Sequence, residues 1–173
     1  CSCIQVDHPD GQYLIGEQRI PTHNSPIITF AGTIQEILCD PEIKICIFSV
    51  VKPIAQEFLS QIKQEFENNE ILKDLYSDVL WREPTKKTVD GTGPAKWGVA
   101  RGITVKRKNN PKEASIEAHG LIDGQPTSRH YDIRVYDDVV TQDYLSPDLI
   151  KKTTERWEMA DNLGSHLGVR KQM

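Results

Sequence analysis

A nine-residue run, residues 43–51, is the feature that most limits what this chain can fold into. Its sequence, IKICIFSVV, is strongly apolar and does not alternate between apolar and polar positions. A strand that is apolar on both faces is typical of a parallel sheet whose two sides are covered by helices. The run therefore predicts a buried strand.

Helical patterns stand on both sides of this run. Upstream, Ser25-Pro26 predicts a helix start, with Ser as N-cap and Pro at the first helical position. Apolar residues follow at helical spacing until Asp40-Pro41 ends the pattern. Downstream, residues 52–69 predict an amphipathic helix. A shorter helix is predicted over residues 70–76.

The second half of the chain contains further strands and one more helix. Residues 82–98 are rich in Pro, Gly, Lys and Thr and predict an exposed loop. Ser146-Pro147 predicts a final helix to roughly residue 162. Three short strands are predicted between them: residues 103–107, 114–121 and 133–136. This order of helices and strands predicts an α/β fold with a largely parallel, mostly buried sheet.

The first 24 residues differ from the rest. Residues 3–6 and 12–15 predict two strands of a hairpin around the turn sequence His8-Pro9-Asp10-Gly11. The chain begins with Cys-Ser-Cys and no Met. We expect it to be incomplete at both ends, because its first long helix lacks the strand that would precede it.

Charge and cysteine content exclude several classes. A formal net charge of −4 gives no argument for nucleic-acid binding. No window approaches the ~20 apolar residues of a membrane-spanning helix. Cys39 and Cys46 lie in apolar stretches and are predicted to be core residues. Cys1 and Cys3 have no second Cys/His pair at zinc spacing.

The sequence Thr22-His23-Asn24-Ser25 can support cleavage of the chain at Asn24. The Asn side-chain amide can attack its own carbonyl, a neighbouring His can protonate the leaving group, and the next hydroxyl can accept an acyl group. The alternative is that Asn24-Ser25 is an ordinary helix cap.

Residues 1–24 resemble the C-terminal end of an intein. The resemblance rests on the strand at residues 3–6, on Tyr13-Leu14, and on residues 19–24, RIPTHN. Most inteins carry Asp at the position of Cys3, and a minority class carries Cys there together with Thr before the final His. The resemblance implies that Cys3 attacks the upstream splice junction, Ser25 receives the upstream segment, and Asn24 cyclises with help from His23. Thr22 matches the minority class.

Residues 25–173 resemble the ATPase region of a phage terminase large subunit. The similarity extends over most of this region and is carried by these segments: ITFAGT at 28–33, FS at 48–49, PIA at 53–55, FLSQIK at 58–63, LW at 80–81, KW at 96–97, GITVKR at 102–107, NPKE at 110–113, GLIDG at 120–124 and VYDDV at 135–139. It implies a P-loop NTPase-like sheet, incomplete in this chain and preceded by a short β-rich intein segment.

A P-loop ends in Gly-Lys-Ser/Thr and continues into a helix whose first N–H groups hold phosphates. Here Ser25 opens the predicted helix, but Asn24 stands where the Lys would be. An intein inserted between Lys and Ser explains both resemblances. Ser25 would then act as splicing acceptor and, after splicing, as a Mg²⁺ and nucleotide ligand.

Asp137 and Asp138 follow an apolar strand, as the second ATPase signature requires. The resemblance implies that Asp137 binds Mg²⁺ and ATP, usually through water, and that Asp138 activates the attacking water. The alternative is that the two acids only form a strand-to-loop turn.

The resemblance implies that the spliced protein uses ATP and Mg²⁺ to package double-stranded DNA into procapsids. Its partners would be DNA, a small terminase subunit, a portal and the N-terminal intein and extein part, with no membrane. It would act in the host cytoplasm and transiently at the procapsid portal. The chain alone is expected neither to hydrolyse ATP nor to splice. Two alternatives are a split-intein half that splices in trans and a non-catalytic binding module.

Other candidate residues favour ordinary structural roles. Trp81, Trp97 and Trp157 are predicted to pack rather than to stack on bases. The basic pairs and triplets at residues 86–87 and 106–108 are predicted to be solvated.

Overall fold

The computed structural model describes residues 13–15, 20–22, 26–86, 93–139, 146–165 and 170–172. Eight strands lie in these ranges: β1 (Tyr13–Ile15), β2 (Ile20–Thr22), β3 (Ile45–Ser49), β4 (Trp97–Gly98), β5 (Gly102–Ile103), β6 (Ile116–Gly120), β7 (Ile133–Tyr136) and β8 (Arg170–Gln172). A π-helical segment, Pro26–Gly32, continues into α1 (Thr33–Cys39). The other helices are α2 (Lys52–Asn68), α3 (Glu70–Leu75) and α4 (Pro147–Met159), which ends in a 3₁₀ turn, Ala160–Leu163.

Six of the strands form one sheet in the order β4-β5-β6-β3-β7-β8. The four strands β6, β3, β7 and β8 are mutually parallel, and β4 and β5 pair antiparallel at one side. The architecture is therefore α/β with a mixed sheet whose centre is parallel, as the sequence predicts. β1 and β2 form a separate antiparallel pair.

The central strand β3 is buried at all five positions, because helices cover both faces of the sheet. Ile45 and Ile47 face the core that α1 and α2 cover. Cys46 and Phe48 face the opposite core, where Trp157 of α4 packs. Ring contacts continue this second core: Phe48 stacks on Tyr136 at 5.3 Å between ring centroids.

Local signals set the helix ends. Asn69 is the one residue between α2 and α3. Its Oδ1 atom accepts a hydrogen bond from Leu72 N at 2.9 Å and so caps α3. The Oγ atom of Ser146 accepts from Leu149 N at 3.4 Å, which confirms the predicted start of α4.

Several predictions from sequence are wrong. Of the strand predicted at residues 103–107, only Ile103 lies in a strand, β5. Arg107, predicted to be solvated, is partly buried and donates through Nη2 to Glu113 O at 2.7 Å. Residues 97–98 form β4 rather than loop, because they pair with β5. Cys39, the last residue of α1, is exposed, whereas Cys46 is buried as predicted. Of the predicted hairpin, residues 3–6 lie outside the described residues, and Tyr13–Ile15 pairs with Ile20–Thr22.

Within the described ranges, the helices are too short or too polar for any of them to span a bilayer.

Candidate functional site

The carboxyl end of β7 carries the two predicted acidic residues, and β3 holds their backbone in place. Asp137 N donates to Phe48 O at 2.9 Å, and Val50 N donates to Asp138 O at 3.1 Å. The Oγ atom of Ser49 donates to the same Asp138 oxygen at 3.1 Å. Since β3 and β7 are parallel, their ends meet at one edge of the sheet and fix the position of both acids.

The side chain of Asp137 is buried and points to the helical layer. Its Oδ2 atom accepts a hydrogen bond from the Oγ1 atom of Thr29, which is itself 2 % exposed. The two residues are separated by 108 positions in the sequence. Thr29 lies in the π-helical segment that begins at Pro26. This segment therefore contacts the acidic end of β7 through Thr29.

Asp138 differs from Asp137 in backbone conformation and in its surroundings. Its φ is +49°, in the left-handed region that few residues other than Gly adopt, although Asp is among the more tolerant. Loss of solvent around the carboxyl group raises the pKa of Asp138, and the negative charge of Asp137 raises it further. A raised pKa makes a carboxylate a better proton acceptor, which suits it to activate water.

The remaining predicted site residues belong to the splicing motif. Cys3, His23, Asn24 and Ser25 lie outside the described residues. Thr22 is the last residue of β2. The structure thus brings Asp137 and Asp138 to one edge of the main sheet and leaves the splicing assignment as a prediction.

The acidic pair could bind a divalent cation only if water or a substrate provided most of the other ligands. Among residues with described positions, no group of three or more His, Cys, Asp or Glu side chains converges on a point. Mg²⁺ does not need such a cage, because it is commonly held by one or two carboxylates together with water and substrate phosphates. Asp137 could provide one such carboxylate.

Sequence reasoning missed Thr29. Its contact with Asp137 joins segments far apart in the chain, so no local pattern marks it. The available signal was indirect: Thr29 follows Ser25 by four residues, about one helical turn, in a helix expected to start beside the acidic strand.

The structural roles predicted for the tryptophans are confirmed. Trp81 Nε1 donates to Thr104 O at 2.9 Å, and Trp97 Nε1 donates to Glu67 Oε1 at 2.7 Å. The ring of Trp157 lies 4.1 Å from that of Tyr136, centroid to centroid.

Comparison with known proteins identifies no relative: no family model matches the chain, and no curated protein matches it.

Proposed function

We propose that residues 25–173 are part of the ATPase of a phage terminase large subunit, and that residues 1–24 are the C-terminal end of an intein. The intein interrupts the phosphate loop between its Lys and Ser25. In the spliced protein, ATP hydrolysis drives double-stranded DNA into a procapsid. The observation that carries this proposal is the hydrogen bond from Thr29 to Asp137.

This hydrogen bond supports the proposal because it holds the segment that follows Ser25 close to the acidic end of β7. A phosphate loop that ended at Ser25 would run into the segment that begins at Pro26. Thr29, about one turn further on, reaches Asp137. The loop and its phosphates would therefore lie beside the carboxylate that the proposal assigns to Mg²⁺.

Asp137 and Asp138 have different roles in the proposed reaction, because their surroundings differ. Asp137, buried and hydrogen-bonded, is suited to hold a cation in one place. Asp138 is an exposed residue whose carboxyl group is partly shielded from solvent and has a raised pKa, so it is suited to orient the attacking water and accept its proton. Mg²⁺ bound with ATP would neutralise charge on the transferred phosphate.

The splicing half of the proposal assigns one bond change to each residue. The Cys3 sulfur attacks the carbonyl at the upstream junction, which breaks the peptide bond there, releases the amine of the following residue and forms a thioester. The Ser25 hydroxyl oxygen then attacks this thioester, takes the acyl group as an ester and frees the Cys3 thiol. The Asn24 amide nitrogen attacks its own carbonyl carbon, which breaks the Asn24–Ser25 peptide bond and releases a succinimide. His23 protonates the leaving amine. The ester at Ser25 then rearranges to a peptide bond.

The ATPase half is tested in a rejoined protein, in which the Gly-rich loop and Lys encoded upstream directly precede Ser25. We expect Asp137→Asn to lower Mg²⁺-dependent ATP turnover by roughly a hundredfold or more, since it removes the cation's carboxylate. Thr29→Val should lower it less, by about three- to tenfold, because it only positions Asp137. The matched control is Asp78→Asn, an exposed carboxyl group on the loop after α3.

Two results would contradict the proposed ATPase activity. An upstream reading frame without a Gly-rich loop ending in Lys removes the basis for a phosphate loop at Ser25. Turnover unchanged by Asp137→Asn favours the non-catalytic binding module instead.

The splicing half is tested by mass spectrometry of products after co-expression with the N-terminal intein segment. We expect a ligated product whose junction peptide ends at Lys and continues at Ser25. Asn24→Ala should abolish ligation, whereas Asn68→Ala, at the exposed end of α2, should not. Ligation from two separate chains identifies a split intein, and no ligated product in either arrangement contradicts splicing.

A further inference from the structure

A basic cavity lies beside β5 and β6, apart from the acidic pair. Its volume is about 260 Å³. Four cationic side chains line it, Lys52, Lys96, Arg101 and Arg129, against one carboxylate, that of Glu117. β6 lies on the opposite side of β3 from β7, so the cavity is roughly 10 Å or more from Asp137, two strand spacings away.

The lone carboxylate of this cavity is already fully engaged. Glu117 is almost completely buried and accepts hydrogen bonds from Tyr131 Oη at 2.7 Å and Ala114 N at 2.8 Å. The Nε2 atom of His119 lies 3.2 Å from Glu117 Oε2, the oxygen that also accepts from Tyr131. Arg129 Nη1 also donates to it. Glu117 thus serves as a fixed support for its neighbours and leaves little capacity to neutralise further cations.

The support orients cationic groups toward the open space. Arg129 uses Nη1 for Glu117, which leaves the other edge of its guanidinium available. Lys96 is held by Lys112 O at 2.5 Å and lies 3.4 Å from Glu117. Lys52 and Arg101 form no ion pair with any acidic side chain in the described part of the chain, so positive charge at the cavity is in excess.

We propose that this cavity is an anion site that binds the phosphate groups of a ligand carrying several of them. A preoriented guanidinium and flanking ammonium groups are the donors that match phosphate oxygens. The cavity has room for roughly eight water molecules, which is more than one phosphate group occupies. The site requires neither ATP hydrolysis nor splicing, and it goes beyond the function proposed above.

Calorimetric titration of the full chain with tripolyphosphate, in the presence of EDTA, tests the site. We expect saturable binding that Arg101→Glu and Lys52→Glu each weaken by roughly tenfold, because each reverses a charge at the cavity. The matched control is Lys151→Glu, an exposed position on α4 with the same change of net charge. Circular dichroism of each variant verifies its fold, and Arg101→Ala gives a second, milder variant at an exposed position.

The absence of binding, or equal weakening by Lys151→Glu, would overturn the site. ATP and a short DNA duplex, titrated in the same way, identify the source of the phosphates. Arg101-dependent binding of ATP indicates a free nucleotide, and Arg101-dependent binding of only the duplex indicates a nucleic-acid backbone. If neither ATP nor the duplex binds, the proposal that the cavity binds the phosphate groups of a larger ligand is wrong. Because no arm depends on turnover or ligation, failure here leaves the ATPase and splicing tests unaffected.

Discussion

At the scale of single residues, Arg134 is a charged side chain in a buried strand. Residues far away in the sequence provide its hydrogen-bond partners. It lies in buried β7 and is 2 % exposed. Its Nη1 donates to Ala160 O, and its Nη2 lies 3.3 Å from Asp161 Oδ1. Both partners lie at the end of α4, where backbone carbonyls lack helical partners. The buried cation therefore joins the sheet to the helix that covers it.

Glu117 gives the clearest pH prediction. Burial alone would raise the pKa of Glu117, but hydrogen bonds from His119, Ala114 and Tyr131 and the charge of Arg129 outweigh burial and lower it to about 2. A carboxyl group whose pKa is depressed on folding stabilises the fold above its ordinary pKa of 4.5. That contribution is lost as the pH falls from there toward the folded value.

We expect Glu117→Gln to lower the free energy of unfolding near neutral pH by on the order of 3 kcal/mol. The difference from the unaltered chain should shrink as the pH falls from about 5 to about 2.5, since Glu117 then loses its advantage. Urea unfolding across this range measures it, with Glu158→Gln on the exposed side of α4 as control. A difference that stays constant with pH would contradict the assigned role of the charge.

At the scale of elements, the sequence predicts best where burial and periodicity agree. β3, α2 and β7 fall close to their predicted ranges, because uniform apolarity and helical spacing reflect local chain geometry. β4 was missed because it has only two residues in a segment rich in Gly and Pro, and pairing with β5 alone makes it a strand. Strand order likewise comes from tertiary contacts.

The same distinction holds for the candidate site. Asp137 and Asp138 were predicted from an acidic end on an apolar strand, which is a local pattern. Thr29 was not, because its role depends on a partner 108 residues away. Glu117 was not, because Arg129 and Tyr131, two of the groups that hold it, lie 12 and 14 residues away. Local sequence therefore indicates which groups carry charge, whereas packing decides which of them meet.

The junction between α2 and α3 yields an element-scale prediction. Asn69 caps α3 through Leu72 N and is the only residue between the two helices. We expect Asn69→Ala to lower the free energy of unfolding by about 1 kcal/mol, and Asn69→Asp to retain most of it. Asn68→Ala, one position earlier and exposed, is the control. Equal effects of the two alanine variants in urea unfolding would exclude a capping role.

At the scale of the whole molecule, the two proposed functions share one residue, Ser25. The main sheet places the acidic pair beside the helix start, and the separate β1-β2 pair precedes it in the chain. Ser25 stands between these parts in the sequence and is assigned to both, as splicing acceptor and as cation ligand.

Because the chain itself lacks a Gly-rich loop and Lys before Ser25, we expect it to be inactive alone. Incubation with Mg²⁺ and ATP should give phosphate release at the background rate. Its mass should stay that of the intact chain, with no cleavage after Asn24. Turnover above background, or a fragment ending at Asn24 without an added partner, would contradict the expectation that the chain alone neither hydrolyses ATP nor splices.

The most direct test of the central claim is the ATP turnover of the rejoined protein carrying Asp138→Asn. This change keeps the size of the side chain and removes its ability to accept a proton. We expect kcat to fall by roughly a hundredfold or more while KM for ATP changes by less than about threefold, with both values unchanged in Asp78→Asn. A kcat equal to that of the unaltered rejoined protein would contradict this expectation.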